Sequence, residues 1–276
     1  MRVLSFIDYW GTTVEHVGLV PDHQHFEIIA EAAVETRPVD PIDSAPLATL
    51  ADDGFRQDQV EFLGVSNHVV WDEIVVGAAR DAIAGTTEIA GAVDAVVQEV
   101  RRILTYEKGS TEIGIRLDEL VEGGTGVCQD FTHLTLGMLR AVGIPARYIS
   151  GYLFAADETQ LDPDHSAPVT VQTHAWVEAA VPGQGWLAVD PTNDRPVGER
   201  HVVIGHGRDY DDVAPVRGIY LGEASPAVDA TVEIRRMEPV DRASTERPRR
   251  RSGPWPVLSL PTADPLMIHQ QQQQQQ

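Results

Sequence analysis

The sequence predicts an α+β protein, because helical and strand-like patterns occupy separate stretches of the chain. Apolar residues recur at helical spacing over Ile89–Tyr106 and Cys128–Val142. Short alternating apolar and polar runs, typical of strands, lie both before and after these helices. With 276 residues, of which 42% are hydrophobic, the chain is long enough to bury a full core.

The N-terminal stretch predicts a small antiparallel sheet of three strands. Val3–Ile7, Thr13–Val17 and Phe26–Glu35 alternate in strand fashion, and turn residues separate them. A proline-rich segment, Pro38–Pro46, ends this pattern. We therefore assign residues 1–80 to a partial N-terminal β domain and a linker.

The following part of the chain, residues 81–236, predicts the main domain. A helix at Asp72–Ile83 leads into it, and the helix that begins at Cys128 ends before Gly143 and Pro145, which block its continuation. Four strands follow the helices: Ala146–Phe154, Thr170–Val181, Gly185–Val189 and Ala230–Arg235. Residues 237–276 are rich in Arg and Pro and end in a glutamine run, so we expect a disordered tail.

The charge balance and the cysteine count limit the partners and the compartment. The 42 acidic residues exceed the 21 basic ones, for a formal net charge of -21, and such a surface repels nucleic acid and anionic lipid. No apolar run approaches the ~20 residues that span a bilayer. A single cysteine permits no internal disulfide, and the N-terminus has no signal-peptide pattern. We therefore expect a cytoplasmic protein with no nucleic-acid or membrane partner.

The one cysteine, Cys128, is placed as a nucleophile would be. Glycines at 123, 124 and 126 precede it, and the predicted helix begins at the cysteine itself. Glycines allow a sharp turn and a close approach of the backbone to a substrate. The positive end of the helix favours the thiolate, and its free N–H groups can hold an oxyanion.

A histidine and an acid follow in the order that a thiol nucleophile requires. His174 lies in a predicted strand, and Asp190 opens the Asp-Pro-Thr-Asn turn after the next strand. If Val181 pairs with Trp186, the two side chains lie on opposite faces. If Ala180 pairs with Trp186, they become diagonal neighbours about 7–8 Å apart, within reach of an imidazole–carboxylate bond. We predict the second pairing, with Asp190 orienting the imidazole.

Four blocks of sequence together resemble the bacterial transglutaminase-like family. They are Gly126-Val127-Cys128-Gln129-Asp130-Phe131, Gly143 to Tyr152, His174-Ala175-Trp176-Val177-Glu178, and Gly185-Trp186 with Asp190-Pro191-Thr192-Asn193. The resemblance runs from about Glu61 to Glu233 and includes Gly207 to Gly218. It implies a papain-like core with the catalytic triad Cys128, His174 and Asp190. It also implies that the N-terminal strands are a preceding antiparallel β domain, truncated because its first strands are absent.

Residues beside the triad in these motifs are the candidates for substrate binding. They are Gly126, Gln129, Trp176 and Glu178. Trp176 also fits a buried core position, and Glu178 fits either a cleft that favours cationic groups or a solvated site. Asp130 and His133 fit capping or packing on the helix better than catalysis.

The sequence predicts no metal site and no cofactor. Asp162, Asp164 and His165 share a short acidic loop, but they lack the ligand number and the glycine of a calcium loop. A cysteine–histidine metal set is excluded by the single cysteine, and no glycine-rich phosphate loop follows a strand.

The predicted activity is acyl transfer from a peptide or protein amide through a thioester on Cys128. Water as the acceptor gives a protease or amidase, which we favour for prokaryotic relatives of this kind. An amine co-substrate gives a protein-glutamine transglutaminase, and the same triad serves both outcomes. A non-enzymatic scaffold with an idle site is the third reading.

Overall fold

The protein has the predicted α+β architecture. A computed structural model describes residues 2–20, 23, 25–154, 168–193, 196–219, 221 and 230–237. The helices in this part of the chain are α1 (Asp53–Asp58), α2 (Glu73–Ala82), α3 (Ile89–Ile103), α4 (Leu117–Gly123) and α5 (Cys128–Ala141). The strands are β1 (Arg2–Ile7), β2 (Thr13–Gly18), β3 (Thr105–Tyr106), β4 (Thr125–Gly126), β5 (Ala146–Leu153), β6 (Val169–Val171), β7 (Thr173–Val181), β8 (Gly185–Val189), β9 (His201–Gly207) and β10 (Val232–Ile234).

A four-stranded antiparallel sheet and helix α5 form the centre of the fold. The strand order is β8-β7-β5-β9, and α5 packs against β7 and β5. Alternate residues of a strand face opposite sides of the sheet, so Ala175, Val177 and Ala179 of β7 belong to the core beside Leu134 and Met138 of α5. His174, Trp176 and Glu178 therefore point to the other face.

The central helix begins and ends where the sequence predicts. Prediction placed it at Cys128–Val142, and the observed helix is Cys128–Ala141. Gly143, with φ of 83°, adopts the left-handed conformation that ends a helix. The helix predicted at Ile89–Tyr106 stops earlier, at Ile103, because Leu104 turns extended and leads into β3, which pairs with β4.

The N-terminal sheet differs from the prediction. Strands β1 and β2 form an antiparallel hairpin from Arg2↔Gly18 to Ile7↔Thr13. The third predicted strand, Phe26–Glu35, does not form, and all ten residues are exposed. Alternation produces a strand only where a neighbouring edge and a buried face are available. Neither is present for this segment in the described part of the chain, so the three-strand prediction was wrong.

The buried core extends on both sides of residue 80. Leu50, Val69, Val75 and Ala79 belong to the same core cluster as the side chains of α3, α5 and β7. The division of the chain at 80/81 stays a prediction. Buried Arg140 joins the end of α5 to the rest of this core, because its guanidinium donates to the carbonyl oxygens of Ala146, Gly64 and Arg208.

Two predicted segments lie outside the described residues. They are the acidic loop with Asp162, Asp164 and His165, and the tail from residue 238 onward. Among the helices that are described, none has the length and apolar character needed to cross a bilayer.

Candidate active site

The glycine-rich turn before Cys128 brings the chain into helix α5. Gly124 caps α4 in the left-handed conformation, with φ of 69°. Gly126 is buried, and a Cβ atom there would lie 2.9 Å from the Cβ of Asp130. These two glycines therefore serve a turn and a close contact. Cys128 is the first residue of α5 and is half-buried, so its sulfur lies at the positive end of the helix.

Asp130 fixes the backbone that carries the cysteine. Its buried carboxylate accepts a hydrogen bond from the N–H of Val127 at 2.9 Å and another from the hydroxyl of Thr111 at 2.5 Å. Burial raises the pKa of the Asp130 carboxyl, while these two hydrogen bonds lower it. The expectation that Asp130 caps the helix is confirmed. His133, also buried, accepts a hydrogen bond from the N–H of Tyr210, which is a packing role.

Strands β7 and β8 pair in the predicted register. Ala180 lies opposite Trp186, and Val177 lies opposite Val189. This pairing brings His174, near the start of β7, close to Asp190, which directly follows β8. The Nε2 atom of His174 lies 2.7 Å from Oδ2 of Asp190, and both side chains are buried. The predicted imidazole–carboxylate bond is therefore confirmed.

Cys128 lies close to the same imidazole. Its side chain is near enough to the ring to raise the pKa of His174. Because Nε2 faces the carboxylate, Nδ1 is the nitrogen available to the thiol. The structure thus brings together all three residues of the predicted triad, from a helix, a strand and a turn.

The electrostatics of this group keep the proton on the imidazole. Burial lowers the pKa of His174, but the hydrogen bonds and charges of Asp190 and Cys128 outweigh it and raise the pKa to about 9. Burial likewise opposes the charge of Asp190, yet its donors hold the pKa of that carboxyl well below its usual range. An imidazolium next to a carboxylate is therefore the favoured state near neutral pH.

The carboxylate of Asp190 accepts hydrogen bonds at both oxygens. Oδ1 receives the backbone N–H groups of Thr192 and Asn193, at 2.9 and 3.0 Å. Oδ2 receives the side-chain amide of Asn193 at 2.9 Å as well as His174. The Asp-Pro-Thr-Asn turn thus folds around its own first residue, so the acid cannot turn away from the histidine without losing several bonds.

Arg101, which the sequence did not reveal, holds this turn from outside. It projects from α3, and its guanidinium donates to the backbone carbonyl oxygens of Asp190, Pro191 and Asn193. The distances to Asp190 and Pro191 are 2.9 and 3.0 Å. No motif marks such a residue, because carbonyl oxygens are present at every position.

His201 is a second residue that sequence reasoning missed. It is the first residue of β9, a strand that was not predicted, and its Nε2 lies 3.3 Å from Oδ2 of Asp190. Among the described residues, one group of three side chains could hold a metal ion: His174, Asp190 and His201, whose nitrogen and oxygen atoms lie within 4.8 Å of one another. The nitrogen atoms of His174 and His201 lie 2.7 and 3.3 Å from Oδ2 of Asp190, which are hydrogen-bond distances.

The candidate substrate-binding residues occupy different environments. Trp176 is fully buried and stacks on His174, with ring centroids 5.9 Å apart. Glu178 forms a 2.6 Å ion pair with Arg147, whose guanidinium lies 4.0 Å above the Trp186 ring, so its charge is largely compensated. Gln129 is half-buried in the first turn of α5. Their roles in binding stay predictions.

A groove of about 500 Å³ borders the face of the sheet that carries these side chains. Trp176, Glu178, Trp186 and His201 line one side of it, and residues of the 34–39 segment line the other. Of the predicted binding residues at this groove, Glu178 is partly exposed, whereas Trp176 is fully buried beneath it.

Comparison with known proteins identifies this arrangement. A sequence model described as the transglutaminase-like superfamily matches residues 77–191, the span that contains Cys128, His174 and Asp190. An uncharacterized protein of Mycobacterium leprae is 35% identical over 247 residues, which are 86% of this chain and 82% of that protein. A protein-glutamine gamma-glutamyltransferase of Pseudomonas aeruginosa is 40% identical over 77 residues, which are 27% of this chain and 11% of that protein.

A solved structure from Cytophaga hutchinsonii, provisionally assigned as a cysteine protease, is also similar. It is 28% identical with a TM-score of 0.49, and the match covers 61% of this chain and 52% of that one. The chain thus spans about half of the solved protein and a small part of the Pseudomonas enzyme, but most of the mycobacterial relative. The mycobacterial relative matches over most of both chains, and the superfamily model matches residues 77–191. The chain therefore belongs to the transglutaminase-like superfamily.

Proposed function

We propose that the protein is a thiol enzyme that transfers the acyl group of a peptide or protein amide through the triad Cys128, His174 and Asp190. One observation carries the proposal: the imidazole of His174 lies between the carboxylate of Asp190, at 2.7 Å, and the thiol at the start of α5. A nucleophile, a base and a group that orients the base are the parts that such chemistry needs. The reaction as proposed requires no cofactor.

In the first half-reaction, the thiolate of Cys128 attacks the amide carbonyl carbon and forms a C–S bond. The imidazolium of His174 gives its proton to the departing nitrogen as the C–N bond breaks, and a free amine or ammonia leaves. The product on the enzyme is a thioester. The pKa of His174, raised to about 9, keeps this proton available at neutral pH.

The oxyanion that forms during the attack needs hydrogen-bond donors. The first N–H groups of an α-helix have no partner within the helix. Those of Cys128 and Gln129 belong to this first turn, and they point in the direction of the helix N-terminus, where the carbonyl oxygen would lie. They are the donors we assign to the oxyanion.

In the second half-reaction, water is the acceptor that we favour. His174, now neutral, removes a proton from the water as its oxygen attacks the thioester, and a carboxylic acid leaves as Cys128 is regenerated. Cys128 is only half-buried, and an acyl group that solvent reaches is hydrolysed unless the site excludes water. Hydrolysis of peptide amides is therefore the first proposal.

Amine transfer is the second candidate. The local similarity to a protein-glutamine gamma-glutamyltransferase, 40% over 77 residues, favours it. In that reaction a primary amine replaces water and a new amide forms. The match covers 11% of that enzyme, so a direct measurement must decide between the two acceptors.

The test follows the products from a glutamine-containing peptide by mass, with and without a primary amine. Loss of ammonia or cleavage of the chain without amine supports hydrolysis, and incorporated amine supports transfer. Cys128→Ala should lower either activity by several orders of magnitude. His16→Ala, at an exposed position of β2, should leave it unchanged. Activity that survives in Cys128→Ala would refute the assignment.

The scaffold alternative has its own readout. A thiolate–imidazolium pair reacts with iodoacetamide near pH 6 far faster than free cysteine, whose thiol has a pKa of about 8.5. If the wild-type protein reacts no faster than free cysteine and turns over no amide, the site is idle and the scaffold reading stands.

A further inference from the structure

The face of the sheet behind the triad carries a second buried histidine. His201 begins β9, at the far edge of the sheet from β8, and its side chain is 5% exposed. Its Nε2 lies 3.3 Å from Oδ2 of Asp190, the same oxygen that His174 contacts at 2.7 Å. The carboxylate therefore lies between two imidazoles.

The hydrogen on the His201 ring can be assigned from its other nitrogen. The backbone N–H of Gly198 donates to Nδ1 of His201 at 3.2 Å. A backbone N–H can only donate, so Nδ1 must be the acceptor nitrogen of a neutral ring. The hydrogen is then on Nε2, the atom that faces Asp190, and His201 is a donor to the carboxylate.

The packing around His201 keeps the ring at this position. Trp176 contacts both imidazoles: its ring lies stacked on His174 at 5.9 Å and edge-on to His201 at 5.1 Å. Trp176 can lie across β5 because residue 151 is glycine, where a Cβ atom would be 2.5 Å from the indole ring and 2.2 Å from the carbonyl oxygen of Val202. The two histidines thus share one aromatic support.

From these contacts we infer that His201 is a positioning residue, which holds Oδ2 of Asp190 against His174 by donating a hydrogen bond from Nε2. The inference rests on the proposed function, because it gives His201 a task only if the triad works. In this role His201 takes no proton and acts through its contact with Asp190. Together with Asn193 it completes the donors at Oδ2, so this oxygen has three partners: His174, Asn193 and His201.

The bond also favours the charged state that the mechanism uses. A donor to a carboxylate stabilises the anion more than the neutral acid. His201 is among the groups that lower the pKa of Asp190, and an anionic Asp190 in turn supports the imidazolium of His174. Loss of the donor is expected to weaken this support and to slow reaction at Cys128.

Two replacements separate hydrogen bonding from packing. His201→Gln places an amide N–H near the position of Nε2 but lacks a ring, whereas His201→Phe keeps a ring beside Trp176 but cannot donate. The probe is iodoacetamide at pH 6, which reports the thiolate of Cys128 without requiring the natural substrate. We expect His201→Phe to react about ten-fold more slowly than wild type and His201→Gln to recover most of that loss.

Turnover of the glutamine-containing peptide should change in the same order. We expect kcat to fall about ten-fold in His201→Phe with KM within two-fold, since the residue acts on the base and not on the bound peptide. His206→Phe is the matched control, because His206 lies on the same strand but contacts Trp10 rather than Asp190. It should stay within two-fold of wild type.

A double replacement tests whether His201 acts through Asp190. In an Asp190→Asn background, His201→Phe should alter the alkylation rate by less than two-fold, because the anion it served is gone. Three results would overturn the inference: His201→Phe within two-fold of wild type, Phe better tolerated than Gln, or full additivity with Asp190→Asn. These comparisons require that Cys128 of the wild type reacts with iodoacetamide faster than free cysteine does. If it does not, the proposed function itself is refuted, and not only the role of His201. Circular dichroism confirms that each variant is folded.

Discussion

Replacing Asp190 by asparagine is the sharpest perturbation of the site, because it removes one charge and changes few atoms. The pKa of His174 is raised to about 9 even though burial lowers it, and the largest opposing contribution is the hydrogen bond to Asp190. Without the carboxylate, burial remains and the attraction is lost. We therefore expect the pKa of His174 in Asp190→Asn to fall to about 6.5 or lower.

The size of the effect on activity follows from the protonated fraction of the ring. At pH 8 a ring with a pKa of about 9 is about 90% protonated, whereas one with a pKa of about 6.5 is about 3% protonated. At pH 6 both are mostly protonated. The ratio of wild-type activity to Asp190→Asn activity should therefore be about twenty-fold larger at pH 8 than at pH 6. A further loss that does not depend on pH is expected because the imidazole is no longer held in its orientation.

Two measurements check this expectation. The pKa of His174 is obtained from the ring resonances in an NMR titration, with His174→Gln used to assign the signal, and peptide turnover is followed between pH 5 and 10. Asp118→Asn is the control, because Asp118 is a surface acid that pairs with Arg116. A wild-type ring that titrates near 6.5, or a variant ring within half a unit of wild type, would refute the electrostatic account.

Three further predictions concern stability and positioning. Because the pKa of His174 is raised to about 9, the protonated ring stabilises the fold by up to about 3 kcal/mol below about pH 6.5, and this contribution is lost as the pH rises through about 9. The free energy of unfolding, measured in urea at pH 6 and at pH 10, should therefore fall more in the wild type than in His174→Gln. Arg101→Met should slow alkylation of the cysteine about ten-fold or more, because three carbonyl oxygens lose their donor, whereas exposed Arg102→Met should leave it unchanged. Gly126→Ala should lower the free energy of unfolding by about 1–3 kcal/mol, because the new Cβ would lie 2.9 Å from the Cβ of buried Asp130. Gly91→Ala is the control: this position on α3 has open space around it, so the change should be neutral or stabilising.

Each of these three predictions has an outcome that would contradict it. An equal change in stability with pH for the wild type and His174→Gln would mean that the imidazole is not held as a cation. Rapid alkylation in Arg101→Met would mean that the turn after β8 keeps its shape unaided. A melting temperature of Gly126→Ala at or above that of the wild type would mean that Asp130 can move aside without cost.

The triad could be predicted from the sequence because its members lie in local patterns. A glycine turn before an amphipathic helix located Cys128. Of the two registers considered for the strand pair, we predicted the one that lets Asp190 reach His174, because the two-residue period of a strand puts the two side chains on opposite faces in the other. The resemblance of the four sequence blocks to the transglutaminase-like family implied the same three residues.

The supporting residues could not be predicted, since they act across the chain. Arg101 lies on α3 and binds backbone oxygens some 90 residues away, and an arginine on an amphipathic helix is usually read as solvated. His201 depends on β9, whose alternation was not recognised, so its approach to Asp190 was invisible. The error at Phe26–Glu35 has the same origin, because a strand pattern does not tell whether a partner edge exists.

The number of donors around Asp190 also supports the part that we propose for it in the reaction. The carboxylate accepts from two backbone N–H groups, one amide and two imidazoles. Such a set stabilises the anion and holds the pKa of Asp190 below its usual range, while the pKa of His174 is raised to about 9. A proton shared between the two groups therefore stays on the imidazole throughout. In the proposed reaction, Asp190 orients the ring and stabilises its charge, but it is too weak a base to take the proton, so His174 itself would deliver the proton from the thiol to the departing amine.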